Sequence, residues 1–97
     1  MIQTRFIYST PIIAGSLIDD EHLKNEIRNI FFEVFPNLTD SSFDWKKHQR
    51  EYENWDSFAQ LHLVSLAEAK FSISLNVDET TSINSAQDLL NHVKSHL

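Results

Sequence analysis

Asn54-Trp55-Asp56-Ser57-Phe58 opens a stretch that runs to Phe71 with no proline or glycine in it, and the architecture turns on whether that stretch is a helix. Its apolar residues go almost all the way round a helical wheel, with Phe58 and Leu61 on one side and Leu63, Leu66 and Ala67 towards the other. A helix of this kind must bury more than one face. Ser57 followed three residues later by Gln60 is a capping-box pattern, in which the hydroxyl accepts from one free backbone N–H and the glutamine reaches back. Asp56 and Ser57 are also ordinary capping residues on their own. A helix opening concentrates partial positive charge and unpaired N–H donors, so a phosphate attached to Ser57 would sit where an anion is favoured.

Upstream, Asp19-Asp20-Glu21 puts negative charge where a helix dipole favours it, and Leu23, Ile27, Ile30, Phe31 and Val34 recur at helical spacing. Pro36 stops the pattern, so a first helix is predicted from about Asp20 to Phe35, with His22, Lys24, Glu26 and Arg28 on its wet side. Residues 37–54 form a long polar connection, a length that goes with function or with a short helix inside it. Its aromatics Phe43, Trp45 and Tyr52 are expected to pin it to the core, and Trp45 and Trp55 read as anchors. Downstream, residues 72–82 form a turn-rich connector with Ile73 and Leu75 dipping inwards and a short helical turn starting at Asp78-Glu79. Asn84-Ser85-Ala86-Gln87 reads as a cap with a reciprocal glutamine, and Ala86, Leu89, Leu90, Val93 and Leu97 carry a last helix to the C-terminus.

The 97 residues fit one small domain, taken as residues 19–97, behind an N-terminal extension of residues 1–18. That extension is an arm or a flexible tail; partial packing is favoured because Phe6, Ile7, Tyr8, Ile12 and Ile13 would be awkward in water. Fourteen acids against eight Lys and Arg give a net charge of −6, which argues against nucleic acid and anionic membranes and for a basic protein partner. There is no cysteine and a single glycine, Gly15. Disulfides, thiolate metal centres, Gly-rich phosphate loops and the G-x-S-x-G elbow are therefore excluded. No apolar run reaches the roughly 18 residues that a membrane span needs. Ser9-Thr10-Pro11 interrupts the run that a signal peptide would need, so a cytoplasmic location is expected.

Asp56-Ser57-Phe58 followed by Leu61, Leu63, Val64, Leu66, Glu68 and Phe71 resembles the Asp-Ser-Leu signature and following helix of acyl carrier proteins. The resemblance runs on through Ser72-Ile73-Ser74-Leu75, Asp78-Glu79 and Thr81-Ser82-Ile83, covering roughly residues 20 to 97. It implies an all-α, four-helix bundle of the acyl-carrier type with three longer helices, one short helix and a long first loop. It also implies 4′-phosphopantetheine on Ser57, put there by a phosphopantetheinyl transferase with Asp56 in support. Acyl groups of fatty-acid or polyketide synthesis would then be held as thioesters and passed between loading and transferring enzymes. The carrier itself, a monomer, would catalyse nothing. Phe58, Leu61 and His62 would form the docking patch for those partners. Two positions depart from the family pattern: Asn54-Trp55 stands where glycine usually precedes Asp-Ser, and Phe58 stands for leucine.

Two histidine readings fall on their geometry. His62 lies about 140 degrees round the helix from Ser57, out of reach as its general base, so a hydrolase triad does not follow. His92 and His96, four apart, could share a metal ion but lack an evident third ligand, so no metal is expected. The alternative to the carrier is a small helical interaction module with the same fold and no prosthetic group, its Asp56-Ser57 only a cap.

Overall fold

The structure, a computed structural model, describes residues 19–97, so the arm or tail expected at residues 1–18 lies outside the described residues. Four helices follow in order, α1 (Asp20–Val34), α2 (Ser57–Phe71), α3 (Val77–Thr81) and α4 (Ala86–Ser95), with one 3-10 turn, Gln49–Glu51, in the first connection. Among the described residues there is no strand. The all-α expectation therefore holds, and the long first loop does contain a short helix of its own.

Helix α1 starts on Asp19, whose carboxylate accepts from the His22 N–H, and buries Leu23, Ile27, Ile30 and Phe31 of the predicted stripe, with Val34 half-buried. It ends one residue before the predicted Phe35, which caps it. Its polar side is less wet than the pattern suggests. Arg28 pairs with Asp40 at 2.8 Å and lies over the Phe32 and Phe43 rings at 5.3 and 5.5 Å, so it helps hold the loop. Glu26 faces Lys70 of α2 at 3.6 Å.

Helix α2 packs Leu63, Val64 and Ala67 into the core and ends on Ser72, which takes the left-handed conformation at φ 55 where glycine is the usual choice. The Ile73 N–H returns to the Glu68 carbonyl at 3.2 Å, and the Glu68 side chain accepts from the Leu75 N–H at 2.8 Å. These bonds hold the connector so that Leu75 is buried and Ile73 packs on the core, as expected.

Three local expectations need correction. The last helix stops at Ser95 and Leu97 is exposed instead of extending the buried stripe. Its cap is Ser85, and the residue that reaches back is Asp88, to the Asn84 N–H; Gln87 bonds Asn91 instead. The short third helix begins at Val77 on an Asn76 cap, because Asn76 and Glu79 form a reciprocal capping box one register earlier than the acids suggested.

The core joins α1, α2 and α4 with an aromatic cluster at the foot of α1. Ring centroids lie 4.9 Å apart for Phe35–Tyr52, 5.0 Å for Tyr52–Trp55 and 5.6 Å for Phe31–Trp55. The first pair is tilted and the other two meet edge to face, and such pairs contribute about 0.5–1.5 kcal/mol each beyond area burial. Trp55 therefore anchors the loop as expected. Trp45 does so through its ring on Phe43 and its carbonyl, which accepts from the Gln87 N–H at 2.9 Å.

Candidate functional site around Ser57

The opening of α2 is where structure and sequence differ most. Asp56, and not Ser57, is the N-cap: its carboxylate accepts from the Ala59 N–H at 2.9 Å. Ser57 is thereby the first helical residue, and Gln60 falls one position too far along for a capping box. Aspartate caps at least as well as serine, so the register shifts by one and the serine hydroxyl is left with no capping duty. It is exposed, and among the described residues nothing hydrogen-bonds to it or to the N–H groups of Ser57 and Phe58.

Gln60 turns inward instead. Its carbonyl oxygen accepts from the Trp55 indole N–H, and its amide donates to the carbonyls of Thr80 and Ile83. One side chain thus ties the loop before α2 to the last turn of α3 and the connection that follows it. Sequence reasoning missed this role. The available signal was a glutamine set among apolar positions of a helix that must bury more than one face.

Beside Ser57 lies an open groove of about 400 Å³ lined by Gln49, Ser57, Gln60, Leu61, Thr80 and Thr81. Leu61 in its lining is 59 % exposed, and Phe58, next to Ser57 in sequence, is 82 % exposed. Val77, 76 % exposed, precedes Thr80 and Thr81 by three and four residues and so shares their side of α3. His62 is exposed on α2. The proposed docking residues Phe58 and Leu61 are thus on the surface near Ser57, and Val77 is an addition that the sequence pattern did not flag.

A second cavity, about 320 Å³, lies under the first loop against Leu38, Lys47 and Tyr52. The Tyr52 hydroxyl is buried without a hydrogen-bond partner among the described residues. Burial, with Asp44 and Glu51 adding repulsion, pushes its pKa up to about 12. It stays neutral at physiological pH and offers no acid–base chemistry there.

His92 and His96 converge on one carboxylate, that of Glu79, which the sequence could not assign to them. Among the described residues no group of three His, Cys, Asp or Glu is arranged to hold a metal ion, and no helix is long and apolar enough to cross a membrane. Compared with known family models, curated proteins and solved structures, the chain matches none.

Proposed function

We propose that this protein is an acyl carrier of the four-helix type, with Ser57 as the attachment point of a 4′-phosphopantetheine arm and Asp56 in a supporting role. The observation that carries the reading is the Ser57 hydroxyl: exposed, without a partner among the described residues, and at the first position of a 15-residue helix. The free N–H groups of Ser57 and Phe58 would favour a phosphodiester there. The groove edged by Leu61, Thr80 and Thr81 gives a flexible chain somewhere to lie. When bound, such an arm supplies a terminal thiol that carries acyl groups as thioesters. The chain's own residues present the serine to a phosphopantetheinyl transferase and then to the acyl-loading and acyl-transferring enzymes. The protein is on this reading a cytoplasmic monomer and not itself an enzyme.

The test is incubation of the full chain with coenzyme A, magnesium and a broad-specificity phosphopantetheinyl transferase. One phosphopantetheine is expected by intact mass on the wild type and none on Ser57→Ala. Equal loading of Ser57→Ala would remove the site assignment. Docking is tested separately by Phe58→Asp. That ring is already in water, so circular dichroism should not change, while transfer to the arm should slow about tenfold, the scale of losing one aromatic anchor at an interface. Unchanged transfer kinetics would take Phe58 out of the docking patch.

The exposed Phe58, Leu61 and Val77 also favour a second reading, an interaction module with the same fold and no prosthetic group. Protein from its native cells at its unmodified mass, still binding its partner, would select the module over the carrier.

A further inference from the structure

At the end of α3 a hydroxyl, an imidazole and a carboxylate stand in a row. Ser82, the C-cap of α3, places its Oγ 2.8 Å from Nε2 of His92 on α4. The other ring nitrogen, Nδ1, faces Glu79 Oε2 at 3.8 Å. Glu79 is itself fixed at two points: Oε1 accepts from the Asn76 N–H at 3.0 Å, and Oε2 lies 2.8 Å from His96 Nε2. Ser82 is exposed while Ile83 beside it is fully buried, so the backbone that carries the hydroxyl is anchored in the core.

The order of these groups sets their protons. The Asn76 backbone hydrogen bond first, and the His96 hydrogen bond next, hold the Glu79 carboxyl below its ordinary 4.5, so a carboxylate faces Nδ1 at neutral pH. A ring lone pair aimed at a carboxylate is repelled and a ring N–H is attracted. Neutral His92 therefore carries its proton on Nδ1 and leaves Nε2 as an acceptor. The Ser82 hydroxyl has two acceptors in reach, Nε2 at 2.8 Å and the Glu79 carbonyl at 2.9 Å, and the ring nitrogen is the stronger base.

We propose that Ser82 is an acyl-acceptor site, with His92 as its general base and Glu79 as the positioning residue that fixes the His92 tautomer. The donor class is a small activated acyl ester or thioester. Ser82 Oγ bonds to the acyl carbon while its proton passes to His92 Nε2, and the bond from that carbon to the leaving oxygen or sulfur breaks with its electron pair. The Glu79 carboxylate stabilises the imidazolium so formed, which then gives up its proton to the leaving group. The Ser82 N–H is tied to the Asp78 and Glu79 carbonyls at 3.2 Å each, so it does not serve the developing oxyanion. An activated donor reacts without that help, whereas the ordinary ester left on Ser82 is cleared far more slowly. The site accepts one acyl group and keeps it.

The test treats the full chain with p-nitrophenyl acetate and maps the acetyl groups by mass spectrometry of its peptides. Ser82 should be acetylated about 100-fold faster than Ser41, an exposed serine whose hydroxyl meets Thr39 and not a histidine. His92→Gln should bring Ser82 down to the Ser41 rate. Glu79→Gln keeps the capping box, since glutamine serves there equally, and should slow Ser82 at least about tenfold while moving the His92 proton to Nε2 in proton–nitrogen NMR spectra. Unchanged circular dichroism certifies the fold of each variant. Should a variant fail that check, the wild type alone decides, and both fast acetylation of Ser82 and a proton on His92 Nδ1 are required of it. The assay reads Ser82 by its own peptide, so its outcome is independent of loading at Ser57. Acetylation of Ser82 no faster than of Ser41, a rate that survives His92→Gln, or a wild-type proton on Nε2 would overturn the proposal.

Discussion

Phe31→Ala should destabilise the domain by about 3 to 5 kcal/mol, the usual cost of emptying an aromatic site in a packed core. Phe31 is fully buried on α1 and faces four rings at once, with centroid distances of 5.6 Å to Trp55, 5.9 Å to Phe35, 6.1 Å to Phe43 and 6.3 Å to Tyr52. Three of these belong to the first connection or its end and one to the end of α1, so a single truncation loosens both the helix and the loop that leads to Ser57. A small domain has only about 5 to 15 kcal/mol to lose. At about 4 °C per kcal/mol or more, Tm should drop by at least about 12 °C. Val34→Ala, at the half-buried margin of the same helix, should cost far less and serves as the control. A Phe31→Ala loss below about 1 kcal/mol would mean that the aromatic cluster is not the centre of this core.

That junction also marks how far the sequence could be read. The stripe from Leu23 to Val34 and the stripe from Ala86 to Val93 are strong because each repeats at helical spacing against a polar background, and both α1 and α4 lie where that spacing puts them. Helix ends were harder. Asp56-Ser57 and Asn84-Ser85 each offer two adjacent capping side chains and Asn76-Val77-Asp78 offers two that are two residues apart, and the choice between them depends on a register of one or two residues that tertiary packing decides. The shift at Asp56 matters most, because it frees the Ser57 hydroxyl and sends Gln60 inward. The Glu79 cluster was out of reach for another reason. Its members come from α3 and α4, and no periodicity along one helix reports a pairing between two. Ser57 with Phe58 and Leu61, by contrast, was legible as one surface because all three lie within the first turn and a half of α2.

Replacing Gln60 should have the second largest effect, and its pH dependence should reveal how the side chain works. The amide satisfies one buried donor and two carbonyl acceptors at once, on Trp55, Thr80 and Ile83, and only one orientation of its oxygen and nitrogen does so. Gln60→Ala leaves the Trp55 indole N–H and the Ile83 carbonyl without a partner and takes one of two donors from the Thr80 carbonyl, which keeps the Ile83 N–H at 3.4 Å. Each costs about 1 to 3 kcal/mol when fully buried; the site is only half-buried, so water recovers part and a total of about 2 to 4 kcal/mol is expected. Gln60→Glu keeps the acceptor for the indole but sets a carboxylate against two carbonyl oxygens. Repulsion there raises the folded-state pKa of the new carboxyl above its unfolded value, so the protonated form is the one that folding favours. Stability should therefore be lowest at neutral pH and recover as pH falls through the raised value, where the acid proton can bond one carbonyl. Gln60→Ala carries no such group and should lack that recovery in parallel denaturant titrations from pH 5 to pH 8. A Gln60→Glu variant as stable as the wild type at pH 7 would show that the amide does not donate to α3, and the tie between the opening of α2 and the far wall of the groove would have to come from elsewhere.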